Sequence, residues 1–476
     1  MNRKSGVLMH ISSLCGEYSC GSFSKSAYDF IDFLSECNFT YWQVLPFGIT
    51  DDHNSPYMSF SSIGGNMFFI DLDQLYQESL ITKDELDKAK QTTPYLCEFE
   101  RLTKERFKLL KKASQRIKDK STVERFIISN PLIYECCEFM ALKKMNNNLP
   151  WTEWTNNIPD SEALFAWKFI QYEFHTQWAK IHKYANDKGI KIIGDLPFYV
   201  SFDSCDVRNH KEQFLLNEDG KPSCVAGVPP DYFSEDGQFW GNPIYNWEYM
   251  KKDGYTWWKN RLSYMLDLFD GIRIDHFRAF SEYWAIPADA TTAKEGQWVK
   301  GPAEEMIDVI KEVAKNKLVI AENLGLIDEK VDRLLQYSNF PGMSVFQFGF
   351  DGNFENGHLP HNYKNNLFAY TGTHDNNTLL GFIWELDNYT RKQVLDYVGY
   401  GEDDFDKCCD AVIRMMLMSP AGTVIFPIQD ILKYGADTRM NVPGVATGNW
   451  SYRITKQQLD SIDREKYAAL NKMYSR

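Results

Sequence analysis

The chain has little that would tie it to a membrane, a nucleic acid or an oxidising compartment. No apolar run approaches the roughly 20 residues of a spanning helix, and the opening Met1-Asn-Arg-Lys-Ser-Gly-Val-Leu-Met-His is too poor in apolar residues for a secretory leader. An excess of positive charge is absent: 52 Lys and Arg stand against 65 Asp and Glu, a formal net charge of −13. Such a surface repels phosphate backbones and anionic lipid, which argues against nucleic-acid and membrane partners and favours a neutral substrate. The ten cysteines make no Cys-x-x-Cys pattern and no zinc-like pairing with the nine histidines. Reduced, buried thiols in a cytoplasmic protein are the expectation. Internal repeats, low-complexity tracts, flexible linkers and glycine-rich phosphate loops are also absent. Asp51-Asp52-His53-Asn54 matches the spacing of no calcium loop. No metal and no cofactor are expected.

What is present is a large apolar reserve, 43% hydrophobic and 15% aromatic over 476 residues, enough for a core that needs no disulfide or metal. Eight short apolar runs recur, at residues 6–10, 41–46, 191–197, 270–275, 317–322, 343–348, 367–372 and 422–427. Most are near-continuous rather than alternating, as in strands buried on both faces of a parallel sheet. Helix-like amphipathic segments at 24–37, 255–269, 303–315, 327–337, 390–398, 403–418 and 455–472 separate most of them. The expected fold class is therefore α/β, a single (β/α)8 TIM barrel over residues 1–476. Two intervals exceed a simple connection. Residues 47–190 read as a mostly helical insertion, and residues 198–254 as an aromatic loop over the mouth of the barrel. About fifty residues follow the eighth run, too few for a C-terminal β-sandwich.

Three carboxylic acids stand at ends of these runs. Asp275 closes Gly271-Ile272-Arg273-Ile274-Asp275-His276-Phe277-Arg278, where flanking cations favour its ionised form, as a nucleophile attacking an anomeric carbon requires. Glu322 follows an apolar approach that raises a glutamate toward neutrality, the condition for a proton donor. Asp375 lies in Thr371-Gly-Thr-His-Asp-Asn-Asn-Thr378, where His374, Asp375 and Asn376 can grip adjacent sugar hydroxyls. Singly, each has a structural alternative: a bracing Arg–Asp pair, a helix-start cap and an Asx turn. Three acids at the ends of the fourth, fifth and seventh strands of a barrel argue for chemistry, because catalytic groups gather at the C-terminal ends of such strands. Residues 225–247 hold many aromatics among Gly and Pro, read as an irregular loop offering ring faces to glucose units.

Taken together, these segments resemble the 4-α-glucanotransferase family (amylomaltase or disproportionating enzyme), the family 77 glycoside hydrolases. The resemblance runs through Ser55-Pro56-Tyr57, Gly194-Asp195-Leu-Pro-Phe-Tyr-Val200, residues 225–247, residues 273–278, Trp298-Val-Lys-Gly-Pro302 and Ala321-Glu-Asn-Leu-Gly325. It continues through Pro341-Gly-Met343, Leu359-Pro-His-Asn-Tyr363, residues 371–376, Arg439-Met-Asn441 and Gly448-Asn-Trp450. It implies an α-amylase-type barrel with inserted subdomains and no C-terminal β-domain. It also implies retaining transfer of α-1,4-glucan segments from a donor maltodextrin to glucose or another glucan. Under it Asp275 is the nucleophile, Glu322 the general acid/base and Asp375 the acid that holds sugar hydroxyls in the transition state. Arg273, His374 and Asp195 line the subsite of the attacked ring, and Tyr57 stacks on that ring. Tyr232, Phe233 and Trp240 belong to a loop arching over the glucan, and Asn441 contacts donor units. Ser55, His276, Phe348 and Asn376 complete the implied substrate-binding set. Arg208, Asn377 and Met67 depart from the family pattern at positions that carry no catalysis. The rival readings are an α-glucan hydrolase on the same barrel, a non-catalytic glucan-binding protein, and a barrel enzyme using metal or phosphate.

Overall fold

A computed structural model describes residues 3–230, 235–400 and 404–476. Eight strands form one parallel sheet: β1 (Lys4–Leu8), β2 (Tyr41–Gln43), β3 (Lys191–Leu196), β4 (Gly271–Ile274), β5 (Leu318–Ala321), β6 (Gly342–Val345), β7 (Leu367–Tyr370) and β8 (Thr423–Pro427). Their order is β6-β7-β8-β1-β2-β3-β4-β5, so sequence neighbours are spatial neighbours and β8 returns to β1. The remaining seam closes through Ala321 N–H donating to Pro341 O at 3.0 Å and Met343 N–H donating to Asn323 Oδ1 at 2.7 Å. The result is the expected (β/α)8 barrel. The strands are short and buried on both faces, with β4 and β6 fully buried, which is why their sequences do not alternate. Gly194 in β3 admits the Phe269 ring, since a Cβ there would lie 2.2 Å from it.

Helices pack around this sheet, beginning with Lys25–Glu36 between β1 and β2. Residues 47–190 contain six α-helices. The last of them, Ser161–Asp187, is capped by Asp160, whose carboxylate accepts from Ala163 N–H at 2.8 Å. That helix belongs to the barrel wall. Its buried Trp178 donates Nε1–H to Leu268 O at 3.0 Å and meets Phe47 edge-on at 4.8 Å. Burial of a side chain this large contributes about 1.5–3 kcal/mol.

Three expectations need correction. The segment expected to be an irregular loop contains two strands: Cys224–Val228 and Gln238–Pro243 pair antiparallel, and with Glu282–Pro287 and Gln297–Lys300 they build a four-stranded sheet. Gly227 makes this possible, because a Cβ there would sit 2.2 Å from Gln238 O. The helix expected at 455–472 is two helices, Lys456–Asp460 and Arg464–Met473, since Asp463 caps the second by accepting from Lys466 N–H at 2.9 Å. The sixth strand ends at Val345, and Phe348 falls in the 3-10 turn Phe346–Gly349.

All ten cysteines are free, and nine of them are buried. Among the described residues no helix is long and apolar enough to cross a membrane.

Candidate active site

The ends of β3, β4 and β5 place three acids side by side. Register sets Asp195 beside Arg273, and the Arg273 Nη1 donates to both Asp195 oxygens at 2.9 and 2.7 Å. The other guanidinium nitrogen reaches Asp275 Oδ1 at 2.9 Å. Asp195 is fully buried, Arg273 nearly so, and Asp275 is open to the cleft. Burial works against the Arg273 charge, but Asp195 and Asp275 outweigh it and hold the guanidinium above its ordinary value.

Immediately after Asp275 the chain turns sharply. His276 adopts a left-handed conformation (φ 50°, ψ 45°), which costs a non-glycine residue about 1–3 kcal/mol and recurs at functional sites. The turn aims the His276 N–H at Glu322 Oε2, 2.7 Å away, while Leu324 N–H donates to Oε1 at 2.7 Å. Glu322 is thereby fixed by backbone donors rather than by a cation. Burial, with the nearby Asp275 charge adding to it, pushes its carboxyl up to about 7 despite Arg273 and the two N–H donors. Such a carboxyl can carry a proton near neutral pH. Burial, then Arg278, pushes His276 down to about 3, so its ring is neutral; Trp240 packs edge-on against it at 5.0 Å.

The β7 side completes the cleft. The Tyr57 hydroxyl donates to Asp195 Oδ2 at 2.9 Å and lies 3.5 Å from His374 Nδ1, with the two rings stacked at 5.0 Å. His374 Nε2 meets Asp375 Oδ2 at 3.2 Å, and Asn441 donates to Asp375 Oδ1 at 2.6 Å. Burial opposes charge on both members of the His374–Asp375 pair. Their attraction wins, raising His374 and, with Asn441, holding Asp375 near 2. A continuous polar chain therefore runs Asp275–Arg273–Asp195–Tyr57–His374–Asp375–Asn441. Fixed charges lining the cleft are suited to stabilising a cationic, oxocarbenium-like sugar.

The sequence profile of the 4-alpha-glucanotransferase family matches residues 9–459. The chain belongs to this family. A 4-alpha-glucanotransferase of Streptococcus pneumoniae is 41% identical over all of this chain and 97% of its own length. That of Thermus thermophilus is 38% identical, with 96% of each chain covered. The solved amylomaltase of Streptococcus agalactiae, determined in complex with acarbose, superposes with a TM-score of 0.96 at 38% identity, covering 100% of this chain and 99% of that one. The protein is an enzyme of α-1,4-glucan transfer on an amylase-type barrel.

In this glucanotransferase the structure gathers most of the expected site residues. Ser55 sits beneath Tyr57, its Oγ accepting from the Tyr57 N–H at 3.3 Å. Trp240 stands over the Asp275–Glu322 side through His276. Two residues stand apart from that network. Asn376 spends its Oδ1 on Thr373 N–H and Oγ–H at 2.9 and 2.8 Å, bracing its own turn. Phe348, 37% exposed, packs edge-on against His358 at 5.6 Å. Tyr232 and Phe233 lie outside the described residues. Two contributors had no assigned role in the sequence: Trp450, whose ring lies against Tyr57 at 5.9 Å and His374 at 5.8 Å, and Arg439, which donates to Asp375 O at 3.1 Å. The only sequence signal for either was its place in the motifs 439–441 and 448–450.

Proposed function

We propose that Asp275 is the nucleophile and Glu322 the general acid/base of retaining 4-α-glucan transfer. Glu322 protonates the glycosidic oxygen while Asp275 attacks the anomeric carbon, so the reducing-end fragment departs and a glucosyl ester forms on Asp275. Glu322, now a base, takes the proton from the 4-hydroxyl of an incoming sugar, which displaces Asp275 and restores an α-1,4 bond. Asp375 and His374 hold ring hydroxyls as positive charge develops, and Arg273, Asp195 and Tyr57 line the same subsite. Trp240 covers the intermediate against water. Asn441, Ser55 and His276 add further substrate contacts, and Phe348 and Asn376, which stand apart from the polar network, would meet the glucan only at its edge. The donors are maltodextrins, and glucose or another glucan is the acceptor. Free thiols throughout favour the cytoplasm as its location.

One observation carries this reading: two acids at adjacent strand ends have different surroundings, Glu322 held by two backbone N–H donors and pushed up to about 7, Asp275 part-exposed and salt-bridged to Arg273 at 2.9 Å. Environments that separate two carboxyls in this way assign acid and nucleophile. Incubation with maltotriose and no added metal tests it. Glucose together with a ladder of longer maltodextrins is expected; glucose and maltose alone would make the enzyme a hydrolase.

A further inference from the structure

The segment from Thr371 to Leu379, which joins β7 to the first residue of the helix Leu379–Glu385, carries His374 and Asp375. Both ends of this segment converge on one buried carboxylate that belongs to neither element. Thr371 Oγ–H donates to Asp430 Oδ2 at 2.6 Å, and Leu379 N–H donates to Asp430 Oδ1 at 2.7 Å. Asp430 is 1% exposed and lies on the short helix Ile428–Leu432 directly after β8. β8 is the strand paired with β7. No cation pairs with Asp430 among the described residues, and burial pushes its carboxyl up to about 6. A carboxylate buried without a counter-charge is costly. What it offers in return is two acceptor oxygens on one rigid group, which no amide or hydroxyl presents.

We propose that Asp430 is a positioning residue of the active site, setting where Asp375 and His374 stand by clasping both ends of the segment that carries them. The proposal rests on the reading of Asp375 as the acid that stabilises the transition state. Within the clasp, Arg439 and Asn441 fix the middle of the segment, donating to Asp375 O at 3.1 Å and His374 O at 3.1 Å. Releasing the ends leaves the stack on Tyr57 and the pair with Asp375 free to drift. Drift of about 1 Å in a catalytic group costs on the order of 100-fold in rate.

Four variants test this in maltotriose disproportionation, with rates normalised to folded enzyme. Asp430→Ala is expected to lower kcat at least about tenfold with KM little changed, because the loss falls on the transition state. Asp430→Asn recovers most of that loss, since its oxygen accepts from Leu379 N–H while its NH2 donates to Thr371 Oγ. A residue that serves only stability would lower the melting temperature and leave kcat alone. Should Asp430→Ala fail to fold, Thr371→Val carries the test by removing one donor while keeping the side-chain shape; an unchanged kcat in it overturns the proposal. Asp375→Asn separates the two levels. If it is inactive while Asp430→Ala stays within about twofold of wild type, the positioning role is wrong and the Asp375 reading stands. If Asp375→Asn is fully active, both fall.

Discussion

The rise of Glu322 from an ordinary 4.5 to about 7 should be visible in the rate itself. It corresponds to about 3 kcal/mol of preference for the protonated form. The causes are burial first and the neighbouring Asp275 charge second, working against Arg273 and two backbone N–H donors. A general acid must carry its proton in the free enzyme, so kcat/KM should be level below neutrality and fall tenfold per pH unit above about 7, leaving about 1% at pH 9. At an ordinary 4.5 the same group would be almost wholly ionised at pH 7. The assay is initial glucose release from maltotriose between pH 5 and pH 9, repeated with a maltosyl fluoride donor, whose leaving group needs no proton. Glu322→Gln should lose nearly all activity on maltotriose yet still release fluoride, and its fluoride rate should lack the alkaline limb. A wild-type profile flat to pH 9, or a limb that persists in Glu322→Gln, would refute the assignment of the acid.

The same group makes a stability prediction of opposite sign. The unfolded chain ionises Glu322 near 4.5 and the folded chain near 7, so between these values the unfolded state holds fewer protons and wild-type stability falls as pH rises. Glu322→Gln escapes this penalty, and melts at pH 5 and pH 8 should show it gaining roughly 1–3 kcal/mol on wild type at the higher pH; an equal difference at both would contradict it. Arg273→Met should be far more damaging, because it strands the fully buried Asp195 carboxylate. A loss of about 3–5 kcal/mol is expected in urea unfolding, and a midpoint like that of wild type would show the pair to be dispensable.

Much of the barrel was legible because its strands are buried on both faces. Continuous runs such as Gly271–Ile274 need no partner to be recognised, and acids at their ends stand out against apolar sequence. The antiparallel sheet over the mouth was not legible. Its strand Cys224–Val228 pairs with Glu282–Pro287 some sixty residues on, and its Gly and Pro imitate a loop. Caps decided other boundaries: Asp463 splits the last helix, and Asp328 delays another to Glu329–Ser338. At the site, Asp275, Glu322 and Asp375 stood out from the residues themselves, whereas Asp195, Tyr57 and Asn441 were grouped with them only by the family resemblance, and the bonds linking Asp275 to Asp375 could not be read. Tyr57 and Asp195 are 138 residues apart, and Arg439 and Trp450 come from beyond the last strand. The raised state of Glu322 was foreseeable from its apolar approach, but its two backbone donors arise from the left-handed turn at His276, which no periodicity announces.

The mechanism turns on a covalent bond between a glucose unit and Asp275. Glu322→Gln, supplied with maltosyl fluoride, should form that ester and turn it over slowly, because no base activates the acceptor. Acid quench, proteolysis and mass spectrometry of the peptide containing residues 273–278 measure it. A glycosyl adduct on Asp275, absent in the Glu322→Gln/Asp275→Asn double variant, is the expected result. Fluoride release with no adduct, or an adduct on Asp375 instead, would rule out Asp275 as the nucleophile.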